Sequence, residues 1–183
     1  TVGVITNIGP AHLELLGSIE GVAEEKGALL EHVSHAILNA DDPMTPRLAK
    51  RARGQITRFG RGTEADASAD EVEIDSSGRP SFTLRLNGHA VERVKLSCLG
   101  KHNVLNALAA ACVGVWAGLT SAEIRMGLEN YHAADMRMQP IAYNSLHIIN
   151  DAYNSNPDSL KSALEFFSSM ETTGKRIAVL GDM

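Results

Sequence analysis

The sequence predicts an α/β fold: a mostly parallel central sheet flanked by helices, then the start of a second, nucleotide-fold domain. Three observations carry this. Short, nearly unbroken apolar runs such as Val2-Gly3-Val4-Ile5 have the pattern of strands buried on both faces. Helical periodicity alternates with these runs instead of forming a block of its own. After about residue 135 a strand, helix, strand pattern restarts, which is the order of a βαβ unit. Residues 1–135 are therefore expected to form most of one α/β domain, and 136–183 the opening of another.

The elements follow in order. Gly9-Pro10 ends the first strand, and Ser18 suits the N-cap of a helix running to about residue 32. Residues 36–39 read as a strand, Asp41-Asp42-Pro43 as a turn, and Thr45-Pro46 as a helix start. A strand is expected at 55–59 and a polar loop at 61–70. Phe82, Leu84 and Leu86 alternate with polar residues, Asn87-Gly88 follows, and β character resumes at 91–96, the signature of a hairpin with a type I′ turn. Gly100 precedes a long helix from about Asn103, and a second helix is expected from Ser121 to about Asn130. Residues 132–139 lack a period and read as a linker. A strand at 146–150, a helix capped by Asn156-Pro157 and running to about 170, and a buried strand at 176–180 complete the chain.

Composition narrows the function. Of 183 residues, 44 % are apolar, 21 % charged and 4 % aromatic, which is globular and excludes disorder. The formal charge is −5, from 17 basic and 22 acidic residues, which argues against a phosphate-backbone binder and so against nucleic acid. Cys98 and Cys112 stand among apolar residues and read as buried small hydrophobes in a reducing compartment. Residues 103–122 are uncharged over the length of a membrane span, but Asn103, Asn106 and many Ala and Gly residues point to a tightly packed buried helix. The chain opens on a strand without a basic-then-apolar leader pattern and stops just after another strand, as a piece of a longer protein would.

Three clusters carry chemistry. Lys26 falls on the stripe formed by Ile19, Val22, Ala23, Leu29 and Leu30, where an ammonium is costly unless it snorkels, is paired or is modified. His12 lies fourteen residues earlier in a loop after a strand, the place where α/β sheets bind ligands. Asn103 and Asn106 share a helix face; the first could be only a cap, and the pair could read an adenine edge. The run Asn150-Asp-Ala-Tyr-Asn-Ser-Asn-Pro157 joins a strand to a helix N-terminus, a natural anion site. Capping accounts for Asn156 and Pro157, but not for Asp151, Tyr153 or Asn154. Arg137 could reach a phosphate or be a solvated surface arginine. No Gly-x-x-x-x-Gly-Lys-Ser/Thr loop and no Gly-x-Gly-x-x-Gly run is present.

These motifs in this order resemble the Mur ligase family over essentially the whole chain. Thr6-Asn-Ile-Gly-Pro-Ala-His12-Leu-Glu14 with Lys26 is similar to the family's metal-site segment. Gly100-Lys-His-Asn-Val-Leu-Asn-Ala-Leu-Ala-Ala110 is similar to its adenine-contacting segment. Residues 151–159 and 176–183 resemble the branch that uses a dipeptide. The family's glycine before the linker arginine is replaced here by Met136. The resemblance implies a central ATPase domain plus the start of a Rossmann-like C-terminal domain, with the phosphate loop and a UDP-substrate domain upstream of residue 1. On that reading this segment alone neither hydrolyses ATP nor forms amide bonds.

The implied whole-protein activity is ADP-forming amide ligation through an acyl phosphate. The implied substrates are ATP, a UDP-N-acetylmuramoyl-tripeptide and D-alanyl-D-alanine, with Mg²⁺ as the metal. By resemblance His12 and an N-carboxylated Lys26 are catalytic and hold the metal. Asn103 and Asn106 hold adenine, Asp151 and Arg137 hold ribose and phosphate, and Tyr153, Asn154 and Asn156 lie near the dipeptide. A cytoplasmic bacterial monomer without membrane insertion or nucleic-acid partner is implied. The alternatives are another Mur-type ligase, a folylpolyglutamate synthase, or a non-catalytic module that keeps the fold.

Overall fold

The computed structural model describes residues 1–10, 13–62 and 65–181. Six strands form one mixed sheet in sequential order: β1 (Val2–Ile5), β2 (His35–Asn39), β3 (Gln55–Phe59), β4 (Ala67–Ile74), β5 (Pro80–Leu86) and β6 (His89–Lys95). The first four pair in parallel and the last three antiparallel. Helices α1 (Leu13–Leu16), α2 (Ile19–Gly27), α3 (Thr45–Ala49), α4 (Asn103–Trp116) and α5 (Ser121–Asn130) flank it. The expected α/β class holds, with its parallel half at the N-terminal edge.

Strand β2 shows why the apolar runs are continuous. Ile37 enters a core that contains α4 and α5 residues, whereas Ala36 and Leu38 enter a second core with Val22, Ala23 and Leu48 of α2 and α3. Both faces are covered, so consecutive positions are apolar. The uncharged stretch at 103–122 breaks at Gly118 (φ +81), and α4 packs through small residues. A Cβ on Gly114 would stand 2.7 Å from Ile124 Cγ1, so glycine sets the α4–α5 approach. Among the described residues no helix is long and apolar enough to cross a membrane. Cys98 and Cys112 are buried and unpaired, and burial pushes the Cys112 thiol up to about 12.

Several elements are as expected. Ser18 accepts from the Gly21 amide as an N-cap, and the Asn87-Gly88 turn has φ +49 and +80, as a type I′ hairpin needs.

Four readings are corrected. The helix expected to reach residue 32 tightens at Ala28 into a single 3₁₀ turn, Ala28–Glu31. Residues 67–70, read as loop, begin β4: Ala67 is buried against β5, and pairing supplies what the sequence Ala-Ser-Ala-Asp-Glu lacks in β propensity. The linker 132–139 runs into an unforeseen strand β7 (Gln139–Tyr143), which pairs antiparallel with β8 (Leu146–Asn150). Residues 176–180 form no strand: among the described residues they have no ladder partner, and Ile177 and Val179 are exposed. The βαβ unit is therefore a β7–β8 hairpin followed by α6 (Pro157–Ser169). A small apolar cluster of Leu99, Met138 and Phe166 joins α6 to the segment before α4.

Candidate active site

Backbone past the end of β1 has no ladder to enter, so side chains hold it. The Asn39 amide donates to the Thr6 carbonyl at 2.9 Å, and the Ile8 amide donates to Asp42 Oδ2 at 2.5 Å. Between them the Lys26 ammonium donates to the Asn7 carbonyl at 3.0 Å. The burial expected of Lys26 is corrected here: it is exposed, as are its supposed stripe partners Ile19 and Leu29, at 41 % and 44 %. Helix α2 buries only Val22, Ala23 and Gly27. The stripe is narrower because α2 ends at Gly27, so Leu29 belongs to the tightened turn. His12 lies outside the described residues. Among those residues no three His, Cys, Asp or Glu side chains gather as a metal site. An N-carboxylated Lys26 would offer a hard cation carboxylate oxygens beside the Asn7 carbonyl.

At the start of α4 the two carboxamides meet as spacing predicted. Asn106 Nδ2 donates to Asn103 Oδ1 at 2.9 Å. The capping role considered for Asn103 is corrected: His102 occupies the N-cap, and Asn103 Nδ2 donates backward to the Leu99 carbonyl at 2.7 Å. Asn103 is thereby fixed, and it holds Asn106 in turn. Both line a cleft of about 410 Å³ between α4 and α5, with Leu96, Ala107, Ile124 and Tyr131 among its walls. That volume and apolar lining suit a small planar ligand, with the Asn pair as the polar edge.

The third cluster assembles around residues 135–139 and 151–159. Arg137 lies over the Tyr153 ring at 4.2 Å from the centroid. Asp151 Oδ1 accepts from the Met138 amide at 2.9 Å, and the Tyr153 amide donates to the Met136 carbonyl at 3.1 Å. Arg137, Asp151 and Tyr153 are thus brought together. Asn156 is taken up by a reciprocal capping box with Ser159, at 2.9 and 3.0 Å, while Asn154 is exposed. Met136 adopts φ +59, in the left-handed region that favours glycine. The backbone cost of a side chain there is about 1–2 kcal/mol, partly offset by the flexibility glycine adds to the unfolded chain. Met136→Gly is therefore expected to raise stability by about 0.5–1 kcal/mol, read by denaturant titration.

The segment 151–158 links the other two clusters. At one end, partial removal of His102 from water holds this histidine below its ordinary range, an effect the Asp151 carboxylate opposes. At the other end, Asp158 abuts Gly9: a Cβ on Gly9 would stand 2.8 Å from Asp158 Oδ2. The sequence reading missed Asn39, Asp42, His102 and Asp158. Asn39 and Asp42 look like turn formers in sequence, and the available signal was their place at the carboxyl end of a parallel strand.

Comparison with known proteins gives the class. Residues 1–114 match the Mur ligase middle domain, and residues 136–183 match the Mur ligase glutamate ligase domain. The chain belongs to the Mur ligase family. Among its relatives, UDP-N-acetylmuramoyl-tripeptide–D-alanyl-D-alanine ligase of Bacillus subtilis (strain 168) is 37 % identical over 185 residues, covering 98 % of this chain and 39 % of that protein. The enzyme of the same name from Mycobacterium tuberculosis (strain ATCC 25618 / H37Rv) is 35 % identical over 192 residues, covering 100 % and 38 %. The chain spans about two fifths of the length of these relatives. A crystal structure of MurF from Acinetobacter baumannii superposes with TM-score 0.86 at 30 % identity, covering 93 % of this chain and 38 % of that one.

Proposed function

We propose that the whole protein carrying this chain is an ATP-dependent, ADP-forming amide ligase of bacterial peptidoglycan precursor synthesis. It joins D-alanyl-D-alanine to UDP-N-acetylmuramoyl-tripeptide in the cytoplasm, as a monomer. Residues 1–135 are the central ATP-binding domain and 136–183 the start of the C-terminal domain. The observation that carries this is the contact of Asp158 with Gly9, on the loop that meets Lys26, from the same segment whose Asp151 and Tyr153 are held against residues 136–138. The relatives' shared name supports the choice of substrates.

In this reaction the γ-phosphoryl group passes to the tripeptide carboxylate, the dipeptide amine attacks the acyl phosphate, and phosphate leaves. Mg²⁺, when bound, neutralises charge on the phosphoryl oxygens. Asn106, held by Asn103, presents a carboxamide to the adenine edge. Arg137 and Asp151 flank the nucleotide's phosphate and ribose, with Tyr153 as a platform for the guanidinium. Lys26, N-carboxylated, and His12 serve the metal. Tyr153 and Asn154 face the incoming dipeptide, and Asn156 contributes by fixing the start of α6.

The test is phosphate release by the full-length protein. Release should require ATP, UDP-N-acetylmuramoyl-tripeptide and D-alanyl-D-alanine together, and replacing the dipeptide by a single amino acid should abolish it. Efficient use of glutamate or a diamino acid in its place would overturn the assignment. In the same assay Asn106→Ala is expected to raise KM for ATP about tenfold, the loss of one hydrogen bond of about 1.4 kcal/mol. An unchanged KM with a lowered Tm would leave Asn106 a purely structural role.

A further inference from the structure

Among the described residues the buried polar side chains are Asn39, Asp42 and Thr45, at 7 %, 8 % and 5 % exposure. Asn39 ends β2, Asp42 lies in the turn after it and Thr45 opens α3. A carboxylate removed from water costs free energy unless donors replace the water. Asp42 receives two: the Ile8 amide at Oδ2 and the Met44 amide at Oδ1, at 2.5 and 2.8 Å. Asn39 is equally committed, donating to the Thr6 carbonyl and accepting from the Asp41 amide at 2.9 Å each. Thr45 closes the turn by donating its hydroxyl to the Asn39 carbonyl. Apolar residues would fill this volume more cheaply, so what the polar set adds is direction.

That direction points at one loop. Thr6, Asn7 and Ile8 are consecutive, and each has one backbone group held by a side chain from another element: Asn39, Lys26 and Asp42 in turn. Thr6 and Asn7 are exposed, while Ile8 is plugged into the core beside Val22 and Leu38. The loop is thus solvent-facing but fixed residue by residue.

We propose that Asp42 and Asn39 are positioning residues for phosphoryl transfer, holding residues 6–8 so that the Asn7 carbonyl sets the place of the Lys26 head group. This rests on the reading of Lys26 as part of the metal and phosphoryl site. Displacements of about 1 Å at such a site cost rates on the order of 100-fold. Asp42→Asn keeps the volume but turns an N–H₂ toward a backbone N–H.

The experiment uses the full-length protein. Asp42→Asn is expected to lower kcat per folded molecule 10- to 100-fold and to raise the Mg²⁺ concentration needed for half-maximal rate. It should leave KM for the dipeptide within twofold. Hydrogen exchange in a peptide covering residues 6–10 should accelerate at least tenfold. A merely structural Asp42 would lower Tm and leave kcat per folded molecule and the Mg²⁺ requirement in place, which overturns the proposal. Lys26→Ala is measured beside it. If Lys26→Ala is inactive and Asp42→Asn keeps kcat within twofold, the clamp is wrong and the site reading stands. If both keep kcat, the site reading itself is wrong. Loss in Asp42→Asn alone also overturns the clamp, since it would then act through something other than Lys26. Should Asp42→Asn fail to fold, Asn39→Ser, which removes only the hold on Thr6 and Asp41, is judged by the same outcomes.

Discussion

Lys26→Ala in the full-length protein is expected, on the proposed function, to lose about 10²–10³ in kcat with little change in KM, the pattern of a group acting on the transition state. The ammonium sits exposed, 3.0 Å from the Asn7 carbonyl, on the loop that Asn39 and Asp42 fix. Carbon dioxide can reach the head group: once the ammonium gives a proton to solvent, the neutral amine adds to the carbon and releases a second proton, and the carbamate's two oxygens would share one negative charge beside the same loop. Short carboxylates added to Lys26→Ala should then restore part of the rate by filling the vacated position. Lys26→Arg separates this from the contact seen in the structure. Arginine can still donate to the Asn7 carbonyl but cannot be carboxylated. A Lys26→Arg enzyme with near-normal kcat would reduce Lys26 to a backbone tether, and carbamate chemistry would be excluded at this position.

The residues that explain this site were unequally legible in sequence. Asn103 and Asn106 were placed on one helix face by their three-residue spacing, because a helix surface is decided locally. Lys26 was singled out for a reason the structure does not support. Periodicity put it on a buried stripe, but a period reports a helix's own faces and not which neighbours cover them. Ile19 and Leu29 stay uncovered, so the apolar face is only as wide as Val22, Ala23 and Gly27. The strands β4 and β7 were missed for a related reason: Ala67 and Gln139 enter strands because β5 and β8 offer ladders, and partners are not encoded in a window of residues. The segment 176–180 failed in the opposite direction. Its sequence is strand-like, but a strand exists only with a neighbour to pair with, and among the described residues it has none. Asn39 and Asp42 look like any polar turn in sequence, and only burial distinguishes them.

Gly78→Ala is expected to destabilise the chain by about 2–4 kcal/mol, because two independent costs coincide. Gly78 has φ +86, a conformation that costs an L residue about 1–2 kcal/mol. The added methyl would also stand 2.4 Å from two atoms of the Phe166 ring, well inside contact distance. Phe166 belongs to α6 and, with Leu99 and Met138, forms the apolar cluster between α6 and the approach to α4. The turn around Gly78 is rigid: Asp75 Oδ1 accepts from the Ser77 hydroxyl and from the Ser77 and Arg79 amides, holding its carboxyl down at about 2. The ring must therefore move, and α6 with it. Phe166→Ala supplies the second arm of a double-mutant cycle. It removes the clash along with the packing, so Gly78→Ala should cost about 1–2 kcal/mol in that background, the backbone contribution alone. Equal costs in both backgrounds, read by denaturant titration, would show that α6 does not rest on this turn. The same helix carries Asp158 at its start, against Gly9 of the loop that meets Lys26. On the proposed function, Gly78→Ala in the full-length protein should raise KM for the dipeptide, whereas Met136→Gly, which leaves this contact intact, should not.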